Sequence, residues 1–94
     1  MFYTSFCLIQ IIFYFRPTPS VSWCFYNPFN YQCRPIVSDS KYLLQFGNRR
    51  LLIKDIGYSD AGIYRCIMKL DAQEIKRDIN LTIHSKNDVV QIDP

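Results

Sequence analysis

The stretch Asp60-Ala61-Gly62-Ile63-Tyr64-Arg65-Cys66 decides how this chain is read, because it joins a polar turn to an alternating strand that carries a cysteine. From Ile63 to Leu70 apolar and polar side chains alternate, as they do on a half-buried strand, and Gly62 permits a tight corner before it. On the N-terminal side, Arg50-Leu51-Leu52-Ile53-Lys54-Asp55-Ile56 reads as another strand, with Leu51, Ile53 and Ile56 facing one way and Leu52 and Lys54 the other. Gly57 to Gly62 then makes a loop or a single helical turn. On the C-terminal side, Asp71-Ala72-Gln73-Glu74 forms a hairpin connection and Ile75 to Ile83 the return strand. Its residues Ile79, Leu81 and Ile83 share one face, and Asp78, Asn80 and Thr82 the other.

Further out, Ser20-Val21-Ser22-Trp23 alternates like a strand and Asn27-Pro28 signals a turn. Arg34-Pro35-Ile36-Val37-Ser38-Asp39-Ser40 reads as a short edge strand running into a polar loop, and Tyr42 to Phe46 adds a strand before the Gly47-Asn48 turn. Short strands with frequent turns and no internal repeat predict an all-β fold, an antiparallel β-sandwich, over residues 20–84. Residues 85–94 read as a polar tail or linker. Residues 1–19 hold the one long apolar stretch, MFYTSFCLIQIIFYF, which is too short to span a bilayer comfortably. It reads either as a signal peptide without a basic start or as a β-rich strand containing Cys7.

With 94 residues there is room for one small core. Hydrophobic residues make up 49% and aromatics 16%, against 3 glycines and 5 prolines, which excludes disordered and collagen-like chains. The 11 basic and 8 acidic residues give a net charge of +3, with the two signs interspersed, so nucleic acid is not an expected partner. The 4 cysteines, Cys7, Cys24, Cys33 and Cys66, form no close pair of the zinc-binding kind, and His84 is the sole histidine. An even cysteine count in so small a chain predicts disulfides and an oxidising compartment, with three connectivities open. No nucleophile with a base in reach, no paired carboxylates and no glycine-rich phosphate loop are visible. The expectation is a chain without catalytic activity, cofactor or metal.

The motif Asp60-x-Gly62-x-Tyr64-x-Cys66, preceded by Leu51-x-Ile53-x-x-Ile56 and by Trp23, resembles the immunoglobulin superfamily. The resemblance implies an immunoglobulin-like sandwich, incomplete at its N-terminal strands. In that family such a cysteine bridges the two sheets, such a tyrosine buries its ring with its hydroxyl on a nearby backbone carbonyl, and a tryptophan packs on the disulfide. Asp60 is expected to cap its turn or to pair with Arg49 or Arg50. Over residues 29–94, Cys33-Arg34-Pro35-Ile36, the Leu51-Leu52-Ile53 strand, the Asp60 to Cys66 motif and the tail Val89-Val90-Gln91-Ile92-Asp93-Pro94 resemble the second extracellular domain of interleukin-1 receptor family members. That resemblance departs at Phe29, where the receptor pattern has tryptophan. Trp23-Cys24 with Cys33 also resembles the extra short-loop disulfide of polymeric-immunoglobulin-receptor-like domains.

These resemblances imply bridges from Cys7 to Cys66 between sheets and from Cys24 to Cys33 within one sheet. They also imply an extracellular binding module, part of an interleukin-1-family cytokine receptor or a soluble decoy, whose partner is a protein ligand or another immunoglobulin domain. An adhesion role is the alternative. Exposed aromatics and arginines dominate interface energetics, so Tyr42, Phe46, Arg49, Arg50 and Tyr58 are candidate contacts. Asn80-Leu81-Thr82 is an N-glycosylation sequon with Asn80 expected on the solvent face.

Overall fold

The computed structural model describes residues 2–7, 19–85 and 88–92. In chain order the strands are β1 (Tyr3–Phe6), β2 (Ser20–Tyr26), β3 (Cys33–Ile36), β4 (Tyr42–Gln45), β5 (Arg50–Ile53), β6 (Gly62–Leu70), β7 (Gln73–Ser85) and β8 (Asp88–Ile92), with one 3-10 turn at Tyr58–Asp60. They form two antiparallel sheets, β1-β5-β4 and β3-β2-β6-β7-β8. The first matches the B-E-D order of an immunoglobulin sandwich, and the first four strands of the second match C′-C-F-G. Among the described residues nothing pairs with the outer edge of β1, so that sheet has three strands where the full fold carries four.

The period-2 patterns place the core. On β5, Leu51 and Ile53 are both 0% exposed, with Ile56 beyond them buried and Leu52 and Lys54 half-buried. Tyr64, Cys66 and Met68 of β6 face Val21 and Trp23 of β2, and Ile79 and Leu81 of β7 complete the inner face. Side chains of this size each contribute about 1.5–3 kcal/mol on burial, so this layer between the sheets holds the fold together. The outer face of the second sheet is polar. There Arg65 donates to both carboxylate oxygens of Asp78, at 2.7 and 3.0 Å, and lies 4.0 Å over the Tyr26 ring. The ion pair holds the Arg65 guanidinium charged above its ordinary range.

Register fixes which loops share an end. Tyr26 of β2 lies opposite Ile63 at the start of β6, and Tyr42 of β4 and Tyr3 of β1 lie opposite Ile53 at the end of β5. The β2–β3 loop and the 3-10 turn therefore share one end. Ser20 pairs with Lys69, and Asn48 Nδ2 donates to the Val21 carbonyl, which puts the 46–49 turn and the β6–β7 hairpin at the other end. Two sequence expectations are refined here. Residues 88–92 of the expected tail form β8, paired with β7 through a register shift between Ile83 and Ser85. Of the apolar N-terminal stretch, Tyr3–Phe6 form a strand ending at Cys7, while the candidate strand residues Ile9, Ile11, Ile12, Phe13 and Tyr14 lie outside the described residues. Among the described residues no helix is long and apolar enough to cross a membrane.

Candidate functional site

Two disulfides organise the sandwich, and they do so in different places. Cys7 at the end of β1 is bonded to Cys66 of β6, with Cα atoms 5.9 Å apart, so this bridge joins the two sheets. Trp23 lies opposite Cys66 in the β2–β6 register, 2% exposed, and its Nε1–H donates to the Asn48 carbonyl at 2.6 Å. Cys24 is bonded to Cys33 across the β2–β3 hairpin, with Cα atoms 5.3 Å apart, so this bridge lies within one sheet. Alternation turns Cys24 away from Trp23, toward the outer face.

The corner leading into β6 is built by three residues of the motif. The Tyr64 hydroxyl donates to the Asp60 carbonyl at 2.6 Å while its ring is buried, and burial, with Tyr42 and Asp60 nearby, pushes that hydroxyl far above its ordinary titration range. The Asp60 carboxylate accepts from the Gly57 N–H at 2.8 Å, which caps the 3-10 turn. Its cationic partner is Lys41, with Nζ 2.8 Å from Oδ2, rather than Arg49 or Arg50 as the sequence suggested. The reason is topological. Arg49 and Arg50 stand at the β4–β5 turn, the opposite end of the sandwich, whereas Lys41 immediately precedes β4 at the end where Asp60 lies. Gly62 has φ +148, and a Cβ there would stand 2.6 Å from Cζ of Phe25. Both facts oppose a larger residue.

The five contact candidates are not brought together. Tyr42 and Tyr58 belong to one end, Phe46, Arg49 and Arg50 to the other. Tyr42 is half-buried and packs against the core, and Arg50 lies over the Phe6 ring at 5.9 Å, while Phe46 and Tyr58 are exposed. Asn80 sits on the outer face of β7 opposite Ile63, half-buried. His84 falls within β7, and its side chain lies outside the described residues.

The most exposed aromatics of the described chain are elsewhere. Phe29 is 92% and Tyr31 79% exposed, and both stand on the loop between β2 and β3. This loop is held at every level. The Cys24–Cys33 bond clamps its base, the Asn27 N–H donates to the Gln32 carbonyl at 2.8 Å, and Asn27 and Asn30 each accept a backbone N–H two residues on, from Phe29 at 2.9 Å and from Gln32 at 3.0 Å. Tyr31 takes a left-handed φ of 60 between them. Beside the loop runs a groove of about 540 Å³, shared with Arg34 of β3 and with Ala61, Gly62 and Ile63 at the start of β6. Phe25 lines it, edge-to-face with Tyr64 at 5.0 Å and with the Arg34 guanidinium 5.6 Å over its ring. Sequence reading passed over Phe29 and Tyr31. The signal was present in two aromatics with Asn27-Pro28 and Asn30, framed by Cys24 and Cys33.

No family model matches this chain, and no curated protein matches it. Solved structures do. The N-terminal four Ig domains of Dscam1 isoform 1.9 superpose with a TM-score of 0.69 at 23% identity, over 87% of this chain and 20% of that one. Those of Dscam1 isoform 6.9 give 0.66 and 23%, over 82% and 18%. The N-terminal eight Ig domains of Down Syndrome Cell Adhesion Molecule isoform 1.30.30 give 0.66 and 19%, over 82% and 9%. The chain thus spans 20% or less of the length of these structures. Two antiparallel sheets, a bridge between them, a tryptophan against it and a tyrosine closing the corner, together with this likeness to Ig domains, make the fold an incomplete immunoglobulin-like β-sandwich.

Proposed function

We infer that this chain is an extracellular protein-binding module that engages its partner through the disulfide-clamped β2–β3 loop. The observation that carries this reading is the pair Phe29 and Tyr31, largely exposed on a loop whose backbone is fixed in advance by a disulfide, a closing hydrogen bond and two asparagine turns. Exposed aromatics cost about 1.5–3 kcal/mol each to leave in water, and a loop already ordered loses little entropy on binding. Large rigid side chains on a fixed loop are what a binding hot spot consists of. Two disulfides in so small a sandwich support an oxidising, extracellular setting.

The narrower reading, a cytokine receptor or decoy of the interleukin-1 receptor kind, is supported by the sequence pattern of residues 29–94. The adhesion reading is supported by the cell adhesion molecule among the similar structures. Both use protein contact, and one experiment serves them. The secreted domain, multimerised on a carrier, is screened against an array of ectodomains and interleukin-1-family cytokines, and each positive is repeated with the Phe29→Ala, Tyr31→Ala double variant. The expected result is a loss of about thirtyfold or more with the double variant for any true partner. A partner bound equally well by the double variant would move the site off this loop. Asn80 is proposed as a glycan-bearing position on the outer face, and unchanged mobility of the secreted chain after glycosidase treatment would remove that assignment.

A further inference from the structure

We propose that the groove beside the loop is a pocket for an acidic side chain, an aspartate or glutamate of the partner protein flanked by an apolar residue, and this rests on the reading of the loop as a binding site. Among the described residues, Arg34 is the only charged residue lining the groove. Its register explains why it is unusual. Arg34 lies opposite Phe25 just as Ile36 lies opposite the buried Trp23, so it occupies an inward-facing position of β3 where alternation calls for an apolar side chain, yet it is exposed. Among the described residues its guanidinium has the Phe25 ring beneath it and no carboxylate beside it.

Two amides lining the groove add donors, while Gln32 and the Tyr26 hydroxyl can both donate and accept. Asn27 and Asn30 each spend their carboxamide oxygen on a backbone N–H of the loop, which identifies the remaining atom of each amide as the NH2 donor. Among the described residues those NH2 groups have no acceptor. Among the described residues the groove therefore combines a cation with no carboxylate beside it and two amide donors with an aromatic floor, and no acid lines it. A carboxylate is the ligand group that satisfies such a set, with a bidentate contact to arginine as the strongest element. Phe25 can form that floor because Gly62 has no side chain where the edge of the ring stands. An arginine on edge strand β3 also discourages edge-to-edge pairing, a role that needs no ligand.

The test is selection of a surface-displayed random peptide library against the secreted domain. Enriched peptides are resynthesised in three forms: unchanged, with the acidic residue replaced by its amide, and with an amidated C-terminus. Binding is measured to the unaltered domain and to Arg34→Gln, Arg34→Lys and Phe29→Ala variants whose thermal unfolding matches it. Enriched peptides should share an Asp or Glu beside an aliphatic or aromatic residue. Replacing that acid by its amide should weaken binding about tenfold, Arg34→Gln should do the same, and the two changes together should cost no more than either alone. Arg34→Lys should retain part of the affinity. Peptides without a common acid, an acid-bearing peptide indifferent to Arg34→Gln, or binding lost only on amidating the C-terminus would each overturn the proposal, as would a library that yields no binder. Sensitivity to Phe29→Ala with indifference to Arg34→Gln would remove the acidic pocket and leave the loop as a binding site.

Discussion

The same covalent bond serves two ends of a scale in this molecule. Cys7–Cys66 lies in the core, 5% and 0% exposed, and ties residues separated by 59 positions. Cys24–Cys33 lies on the outer face, with Cys24 buried at 4% but Cys33 half-buried, and ties residues separated by 9. In the chain-entropy model the first contributes about 4 kcal/mol to stability and the second about 2.5 kcal/mol. The larger difference is in what each bond holds. Around Cys7–Cys66 pack Trp23, Leu51, Ile53 and Met68, which the fold cannot lose. Around Cys24–Cys33 there are hydrogen bonds among Asn27, Phe29, Asn30 and Gln32, which shape a surface. One bridge stabilises the core, and the other adds a smaller stability while fixing the shape of a surface.

Four substitutions sharpen or break that contrast. Replacing Cys7 and Cys66 together by alanine removes about 4 kcal/mol of unfolded-state constraint, and a cavity cost adds to it, so the domain should be largely unfolded at 37 °C by circular dichroism. Gly62→Ala acts where the two regions meet, since its φ of +148 and the Phe25 ring both oppose a methyl group. A loss of about 3 kcal/mol in denaturant unfolding is expected, and a loss below 1 kcal/mol would mean that Phe25 yields more readily than its contact with Tyr64 suggests. Replacing Cys24 and Cys33 by alanine should cost about 2.5 kcal/mol, with hydrogen exchange at the Phe29 and Gln32 amides accelerating well beyond the change at β5 and β6. Equal acceleration everywhere would show that this bridge also belongs to the core. Tyr64→Phe leaves the Asp60 carbonyl without its hydroxyl donor and should cost about 1.5 kcal/mol, with the exchange of loop 27–32 unchanged.

The core side of this comparison was legible from the chain alone because its signals are local. Alternation on β5 placed Leu51 and Ile53 correctly, and the spacing from Asp60 to Cys66 marked a corner whose hydrogen bond closes within four residues. What depended on long separations was not legible. Lys41 reaches Asp60 across a separation of 19, and choosing it over Arg49 and Arg50 requires knowing at which end of the sandwich each loop emerges. The strand at residues 88–92 carried a cue in the β-branched Val89, Val90 and Ile92, but the polar Ser85, Lys86, Asn87 and Asp88 before them read as a tail, and only pairing with β7 makes a strand of it. Phe29 and Tyr31 lay hidden for a different reason. Aromatic residues usually mark a core, and only the hairpin geometry turns these two outward.

The hydrogen bond from Asn27 to Gln32 and the bridge just behind it make the segment between them a closed unit that contributes little to the sandwich below. Its exposed residues Phe29 and Tyr31 can therefore be exchanged with small effect on folding, and on the proposed reading the effect of such changes falls on recognition. On that reading, new specificities would come from rewriting a few positions, Phe29 and Tyr31 first, while the rest of the domain stays as it is.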